Sequence, residues 1–209
     1  MPDDDAPPVA AAPMLTCGYV TFGSLNKVVK ISESCARAWA RLLDAVPGSR
    51  LLLPVPGGEL DGDARQIVLE RLARWGLASN RIDVCGKTAT RREYLERFAE
   101  IDVALDTWPF NGITTTCDGL WMGVPAVSLA GNTSVSRAGG SILRAANLET
   151  LATTTVDAFV DAAVELVHDY NAIAESRIRL RERLQHSALM DPRGFTARLE
   201  RAFGEMMQD

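Results

Sequence analysis

The amino-acid sequence predicts an α/β fold in which a parallel sheet is covered by helices on both faces. Three observations lead to this prediction. Short apolar segments alternate along the chain with segments of helical period. Most of the apolar segments are bounded by Gly or Pro, which favour turns. The segments are continuously apolar rather than alternating, which is typical of parallel strands that are buried on both faces.

The predicted elements follow one another in a regular order. Strands are predicted at residues 18–22, 51–53, 81–85, 103–105 and 126–129. Helices are predicted at residues 32–46, 63–75, 90–98, 114–122 and 136–146, with closing helices at 155–168, 171–185 and 192–207. Ser32 and Thr90 are the expected N-caps, and Glu93, three residues after Thr90, completes a capping-box pattern. A loop is expected over residues 54–58.

The composition limits the class of protein. The chain has 209 residues, of which 47% are hydrophobic, so it can bury a sizeable core. Its net charge is −5, which excludes a general nucleic-acid-binding surface. No segment approaches the ~20 apolar residues that a membrane-spanning helix needs. We therefore expect neither nucleic acid nor membrane among the partners.

The termini and the cysteines point to an intracellular protein. Residues 1–16 are rich in Pro, Ala and Asp without periodicity, and this predicts a disordered linker before a folded domain over residues 17–209. The same segment lacks the basic and apolar regions of a signal peptide. The four Cys form no C-x-x-C pair and the chain has two His, so we expect reduced thiols, a cytoplasmic location and no metal site.

The main candidate site lies at residues 111–118, between the fourth strand and the next helix. Thr114, Thr115 and Thr116 stand where that helix is predicted to begin. A helix N-terminus presents unpaired N–H groups and a positive dipole end, which suit a phosphate or diphosphate. The alternative is that these residues cap the helix and fill space, although three Thr exceed what a cap needs.

Further candidates follow the neighbouring strands. Asp118 lies one helical turn after Thr114 and could accept hydrogen bonds from sugar hydroxyls, or act as a partner of the helix dipole. Lys27 and Lys30 follow the first strand and could reach a phosphate as point charges, or remain solvated. Because ligands of open α/β sheets bind at the carboxyl ends of the strands, these loops share the expected binding edge.

Arg91, Tyr94 and Arg97 form a third group, spaced so that they project from one helix face. Tyr94 could pack on a base and Arg91 could reach a ribose. The alternative is a half-buried Tyr between two solvated Arg. The sequence shows no Ser-His-Asp arrangement and no glycine-rich phosphate loop of known pattern, so it offers binding chemistry without a convincing general base.

Several of these segments resemble a known family. The opening GYVTFGS at residues 18–24, followed by Asn26 and Lys30, resembles the C-terminal catalytic half of O-GlcNAc transferase and of SPINDLY-type glycosyltransferases. The most specific part runs from Asp106 through the threonines to LWMGVP at residues 120–125. Ser136 and Arg137 also fit. The resemblance extends from about residue 18 to the end of the chain.

The resemblance implies a Rossmann-like lobe of a GT-B glycosyltransferase that binds a UDP-sugar, classically UDP-GlcNAc, without a metal cofactor. Lys30 would meet the diphosphate as the catalytic cation, and Thr114 and Thr115 would hold phosphate. Asp118 would bind ribose hydroxyls. The remaining positions implied around the nucleotide are Lys27, Ala89, Arg91, Tyr94, Arg97, Ile113 and Thr116.

The sequence also departs from the family. Lys27 replaces a Gln of the animal enzyme, and Ile113 and Tyr94 each replace a His. SPINDLY-type members can use GDP-fucose, so the donor stays open between UDP-GlcNAc and GDP-fucose.

In the family, an N-terminal lobe and preceding helical repeats supply the acceptor site and a candidate base, and this sequence contains neither. We therefore expect the donor-binding lobe of an enzyme that transfers a sugar to Ser/Thr hydroxyls of a protein. Its partners would include the acceptor and an N-terminal lobe or a TPR-containing chain. The alternatives are a catalytically incompetent nucleotide-binding fragment and an interaction module.

Overall fold

A computed structural model describes residues 5–55 and 62–207 of the chain. Within these residues, six strands form one parallel sheet in the order β3-β2-β1-β4-β5-β6. The strands are β1 Thr21–Gly23, β2 Arg50–Pro54, β3 Ile82–Cys85, β4 Val103–Leu105, β5 Ala126–Leu129 and β6 Ala152–Thr153. The five predicted strands are present. The sixth has only two residues, too few to produce a pattern in the sequence.

Helices connect the strands and follow the sheet. They are α1 Met14–Cys17, α2 Glu33–Ala45, α3 Gly62–Arg74, α4 Arg91–Glu96, α5 Thr114–Trp121, α6 Ala138–Ala145, α7 Val156–His168, α8 Tyr170–Gln185 and α9 Pro192–Met206. Ser32 and Thr90 accept hydrogen bonds from the first turns of α2 and α4, which confirms both predicted N-caps. Residues 56–58 of the predicted 54–58 loop lie outside the described residues. None of the described helices combines the length and apolar character that a membrane crossing requires.

The core lies on both faces of the sheet, as predicted. Leu51 and Leu53 of β2 belong to one buried cluster, which includes Trp39 of α2 and Phe159 of α7. The intervening Leu52 belongs to a second cluster, with residues of α4 and of the end of α5. Successive side chains of a strand point to opposite faces, so this division confirms an α/β sheet that is covered on both sides.

The amino-terminal segment packs against this sheet. Residues 1–4 lie outside the described residues, but Ala12 and Met14 are buried and the Met14 N–H donates to Asp102 Oδ1 at 3.0 Å. Arg177 Nε donates to the Ala10 carbonyl oxygen at 2.8 Å. The sequence predicts a disordered linker here because Pro and Ala dominate its composition. Two apolar side chains and a buried arginine hold the segment in place, and its composition does not reveal them.

The other end of the chain is less buried. α9 follows the predicted helix at residues 192–207, but none of its described residues is buried. Phe195, Leu199, Phe203 and Met206 are all exposed. This helix therefore contributes little to the core of the domain.

Candidate functional site

The candidate site lies where the direction of winding of the sheet reverses. From β1 the chain moves outward through β2 to β3, and it then returns to place β4 on the other side of β1. From β4 it moves outward again through β5 to β6. The carboxyl ends of β1 and β4 therefore open a crevice between the two halves, which is the usual position of a ligand in open α/β sheets.

The first turn of α5 borders this crevice. Ile113 occupies the N-cap position and offers no side-chain hydrogen bond to the helix. Thr116 is buried, and its hydroxyl donates to the Gly112 carbonyl oxygen at 3.1 Å. Thr114 is exposed and Thr115 is half-buried. The threonines therefore do not act as the N-cap; Thr116 has a structural role, whereas Thr114 and Thr115 remain accessible at the positive end of the helix dipole.

Lys30 lies against the loop that leads into α5. Its Nζ donates to the Asn111 carbonyl oxygen at 3.1 Å and lies 4.3 Å from the centre of the Phe110 ring. Partial burial lowers the pKa of Lys30, while the nearby Asp106 carboxylate acts in the opposite direction. Lys27 is exposed nearby. The structure thus brings a partly desolvated cation close to the N-terminus of α5.

A cavity of about 390 Å³ adjoins these elements at the carboxyl ends of β2 and β3. This volume is within the range of small-molecule sites. Its walls are mostly apolar and include Val28, Val55 and Tyr94, and Lys27, Lys87 and Arg97 add positive charge. Lys87 and Thr88, which follow β3 after Gly86 and line the cavity, were not identified from the sequence, although the strand-end rule could have found them.

Tyr94 connects the cavity to α5. It lines the cavity and packs edge-on against Phe98. Burial raises the pKa of Tyr94 to about 12, the Asp118 carboxylate contributes to the same direction, and a hydrogen bond with Thr115 opposes it. A ligand could therefore contact the cavity and the first turn of α5 at the same time.

Arg91 and Asp118 form a bidentate ion pair. Arg91 Nη1 and Nη2 donate to the two carboxylate oxygens of Asp118 at 2.8 and 2.6 Å. The Arg91 guanidinium also lies 5.2 Å from the centre of the Tyr94 ring. Both residues are predicted to contact a ribose. In this structure they contact each other, so a ribose that binds Asp118 must share its oxygens with Arg91 or displace it.

Three predicted site residues are more peripheral. The Ala89 N–H donates to Glu93 Oε2 at 2.9 Å, just before α4. Arg97 Nη1 pairs with Glu100 Oε1 at 3.0 Å while its side chain lines the cavity. The Ile113 side chain is exposed next to the N-terminus of α5. The structure thus groups Arg91, Tyr94, Thr115 and Asp118 most closely.

Comparison with known proteins identifies the family. A parallel α/β lobe with a helix N-terminus at its switch point and an adjoining cavity is the architecture of nucleotide-binding lobes in general. The pattern of glycosyl transferase family 41 matches residues 14–199, so the chain belongs to this family. It is a glycosyltransferase domain of the O-GlcNAc transferase and SPINDLY type.

The relatives support this assignment. The chain is 36% identical over 205 residues to a Solanum lycopersicum protein named "Probable UDP-N-acetylglucosamine–peptide N-acetylglucosaminyltransferase SPINDLY". The match covers 98% of this chain and 22% of the tomato protein. A Caenorhabditis elegans protein named UDP-N-acetylglucosamine–peptide N-acetylglucosaminyltransferase is 32% identical, with 90% of this chain and 16% of that protein covered. The chain thus spans about a fifth of the length of the curated relatives it matches.

Solved structures confirm the fold. A K341M mutant of Thermobaculum terrenum O-GlcNAc transferase superposes with a TM-score of 0.84 and 35% identity, over 98% of this chain and 38% of that chain. This match confirms the predicted Rossmann-like lobe of a GT-B enzyme. Staphylococcus aureus TarM superposes with a TM-score of 0.61 at 11% identity, over 89% of this chain and 35% of that chain, and shares the fold alone.

Proposed function

We propose that this chain is the donor-binding lobe of a glycosyltransferase that transfers a sugar from a nucleotide diphosphate to Ser/Thr hydroxyls of a protein. The observation that supports this most is the first turn of α5, where Thr114 and Thr115 are accessible and the N-cap supplies no side-chain bond. The names of the relatives supply the donor and acceptor classes, a UDP-sugar and a peptide.

The donor would occupy the crevice along its length. The base would enter the apolar cavity beside Tyr94, the ribose would meet Asp118, and the diphosphate would lie at Thr114 and Thr115 with Lys30 alongside. Lys27, Lys87 and Arg97 would add positive charge where the nucleotide enters. These residues hold the ligand without requiring a metal. The choice between UDP-GlcNAc and GDP-fucose is part of the experiment below.

Lys30 and the helix N-terminus would also assist the transfer itself. When the sugar leaves, negative charge develops on the terminal phosphate of the nucleotide. A fixed cation and fixed N–H groups stabilise that charge without reorganising during the reaction. Lys30 would therefore be the catalytic residue of this lobe. We propose that the acceptor site and the general base come from an N-terminal lobe or a TPR-containing chain.

Calorimetric titration with UDP, UDP-GlcNAc, GDP and GDP-fucose tests the proposal. We expect one nucleotide class to bind and Lys30→Met to weaken binding about 10- to 100-fold, the usual size of a lost hydrogen bond to a charged group. The double variant Thr114→Val/Thr115→Val should weaken it similarly. Thr154→Val is the matched control, because Thr154 is exposed before α7. Failure of all four ligands to bind the wild type would refute the proposal.

The exposed face of α9 favours a second candidate, a chain that acts only when bound to another protein. Phe195, Phe203 and Met206 present apolar side chains on a helix with no buried residue among those described. Apolar faces of this kind mark interaction surfaces. Transfer of labelled sugar to a Ser/Thr peptide by the pure 209-residue chain would refute the requirement for a partner.

A further inference from the structure

Asp106 is the most buried carboxyl group near the candidate site. It directly follows β4 and is 2% exposed. Its Oδ1 accepts hydrogen bonds from the N–H groups of Thr107 at 2.8 Å and Gly112 at 2.6 Å. Its Oδ2 accepts from the Ser128 hydroxyl of β5 at 2.6 Å. One carboxyl group therefore closes the 106–112 loop and ties it to the neighbouring strand.

The same loop is held on its other side by Asn111. The Asn111 side-chain amide donates to the Thr107 carbonyl oxygen at 2.8 Å, and its carbonyl oxygen accepts from the Gly139 N–H at 3.3 Å. A Cβ atom at Gly139 would collide with the Asp106 carboxylate and with Ser128. The backbone of Gly139 and the Ser128 side chain thus pack directly against the carboxyl group.

Gly112 connects the hydrogen bonds of Asp106 to the first turn of α5, where the donor is proposed to bind. It lies two residues before Thr114, the first residue of α5, and its carbonyl oxygen accepts from Thr116. The position of Gly112 therefore determines where the first turn of α5 points its N–H groups. Binding sites need such groups held within about half an ångström, which requires support from a second layer of residues.

We propose that Asp106 is a positioning residue for the donor diphosphate, acting through Gly112 and the first turn of α5 rather than by contact with the ligand. This inference rests on the proposed function for the identity of the ligand. The planar shape of the carboxyl group, through the hydrogen bonds that it allows, rather than its charge, keeps the first turn of α5 in position. An Asn side chain offers the same acceptor to Thr107 and Gly112, and its amide donates to the Ser128 hydroxyl, which then acts as an acceptor.

Asp102 provides a matched control at the other end of β4. It is fully buried and its two oxygens accept from the N–H groups of Met14 and Thr21 at 3.0 and 2.8 Å. Asp102→Ala therefore removes a comparable set of buried bonds, but at the edge of the sheet opposite to the first turn of α5. Loss of stability alone would affect both alanine variants alike.

The test measures UDP affinity by calorimetry and amide exchange at Gly112 and at residues 117–121 of α5, whose N–H groups are hydrogen-bonded, for four proteins: wild type, D106A, D106N and D102A. We expect D106A to bind UDP at least tenfold more weakly and to exchange faster at these residues. D106N and D102A should stay within threefold of the wild type in affinity. The exchange measurement needs no ligand, so it tests the role of Asp106 even if the wild type fails to bind UDP and the proposed function falls.

Three outcomes would overturn the inference. The first is a D106A protein with wild-type affinity and exchange. The second is a D102A protein that loses as much affinity as D106A, which would indicate general destabilisation. The third is a D106N protein that loses tenfold affinity, which would mean that the charge and not the shape matters. If D106A does not fold, S128A takes its place, because it removes only the hydrogen bond from the Ser128 hydroxyl to Asp106 Oδ2. Wild-type UDP affinity and wild-type exchange in S128A would then overturn the inference.

Discussion

Replacement of Asp106 by Asn should change the pH dependence of stability in a defined direction. Burial raises the pKa of Asp106 from 3.8 to about 6, even though hydrogen bonds from Ser128, Gly112 and Thr107 act the other way. The folded chain therefore holds the Asp106 proton more tightly than the unfolded chain. The stabilisation from this group is fully present below about pH 4, and it is lost as the pH rises through about 6.

The size of the effect follows from the shift. A change from 3.8 to about 6 is roughly two pKa units, and each unit corresponds to about 1.4 kcal/mol, so the total is about 3 kcal/mol. Asn does not titrate and resembles the protonated carboxyl group. The free energy of unfolding of D106N minus that of the wild type should therefore increase by about 2–3 kcal/mol between pH 4 and pH 7.

Urea unfolding of both proteins at half-unit pH steps measures this difference. Subtraction removes the contributions of the titrating groups that do not interact with Asp106, which the two proteins share. A constant offset from altered hydrogen bonds would shift the whole curve without changing its slope. A difference that stays flat between pH 4 and pH 7, or that falls, would refute the argument that burial dominates the environment of Asp106.

Three further predictions concern packing. Gly139→Ala should destabilise the domain by about 1–3 kcal/mol in urea unfolding, because its Cβ has no space beside Asp106; wild-type stability would contradict this. Arg177→Met should lower the free energy of unfolding by about 3 kcal/mol or more in the same assay, because three backbone carbonyl oxygens lose their buried donor. A loss under about 1 kcal/mol would show that these oxygens find other partners. A chain truncated after residue 190 should unfold within about 0.5 kcal/mol of the full chain, because α9 has no buried residue among those described; a larger loss would reveal a role for this helix in the domain.

Local patterns in the sequence predict most of the fold. The apolar runs mark β1 to β5, and the caps at Ser32 and Thr90 are found where expected. Each of these signals lies within a few residues of the chain. β6 is too short to give such a signal, and the packing of residues 5–14 depends on Arg177, which lies more than 160 residues away. Contacts between residues so far apart produce no periodic pattern in the sequence, so the sequence does not predict them.

The candidate site likewise contains residues that local sequence signals predict and residues whose role depends on distant partners. Thr114, Thr115 and Lys30 are identifiable because they stand at the ends of predicted strands and at the start of a predicted helix. The Arg91–Asp118 pair is not, because 27 residues separate the partners and each looks like an independent ribose contact. Asp106 was part of a family motif, yet its role depends on Ser128 and Gly139, which only the folded chain brings beside it.

The reversal of the sheet between β1 and β4 has a consequence for folding cooperativity. The three strands on one side of the crevice come from residues 21–85, and the three strands on the other side come from residues 103–153. A nucleotide that binds across the crevice would contact both groups of strands and would therefore couple their stabilities. Sub-global opening of either half would then release the ligand, so amide protection should rise in β2 and β5 together when the crevice is filled.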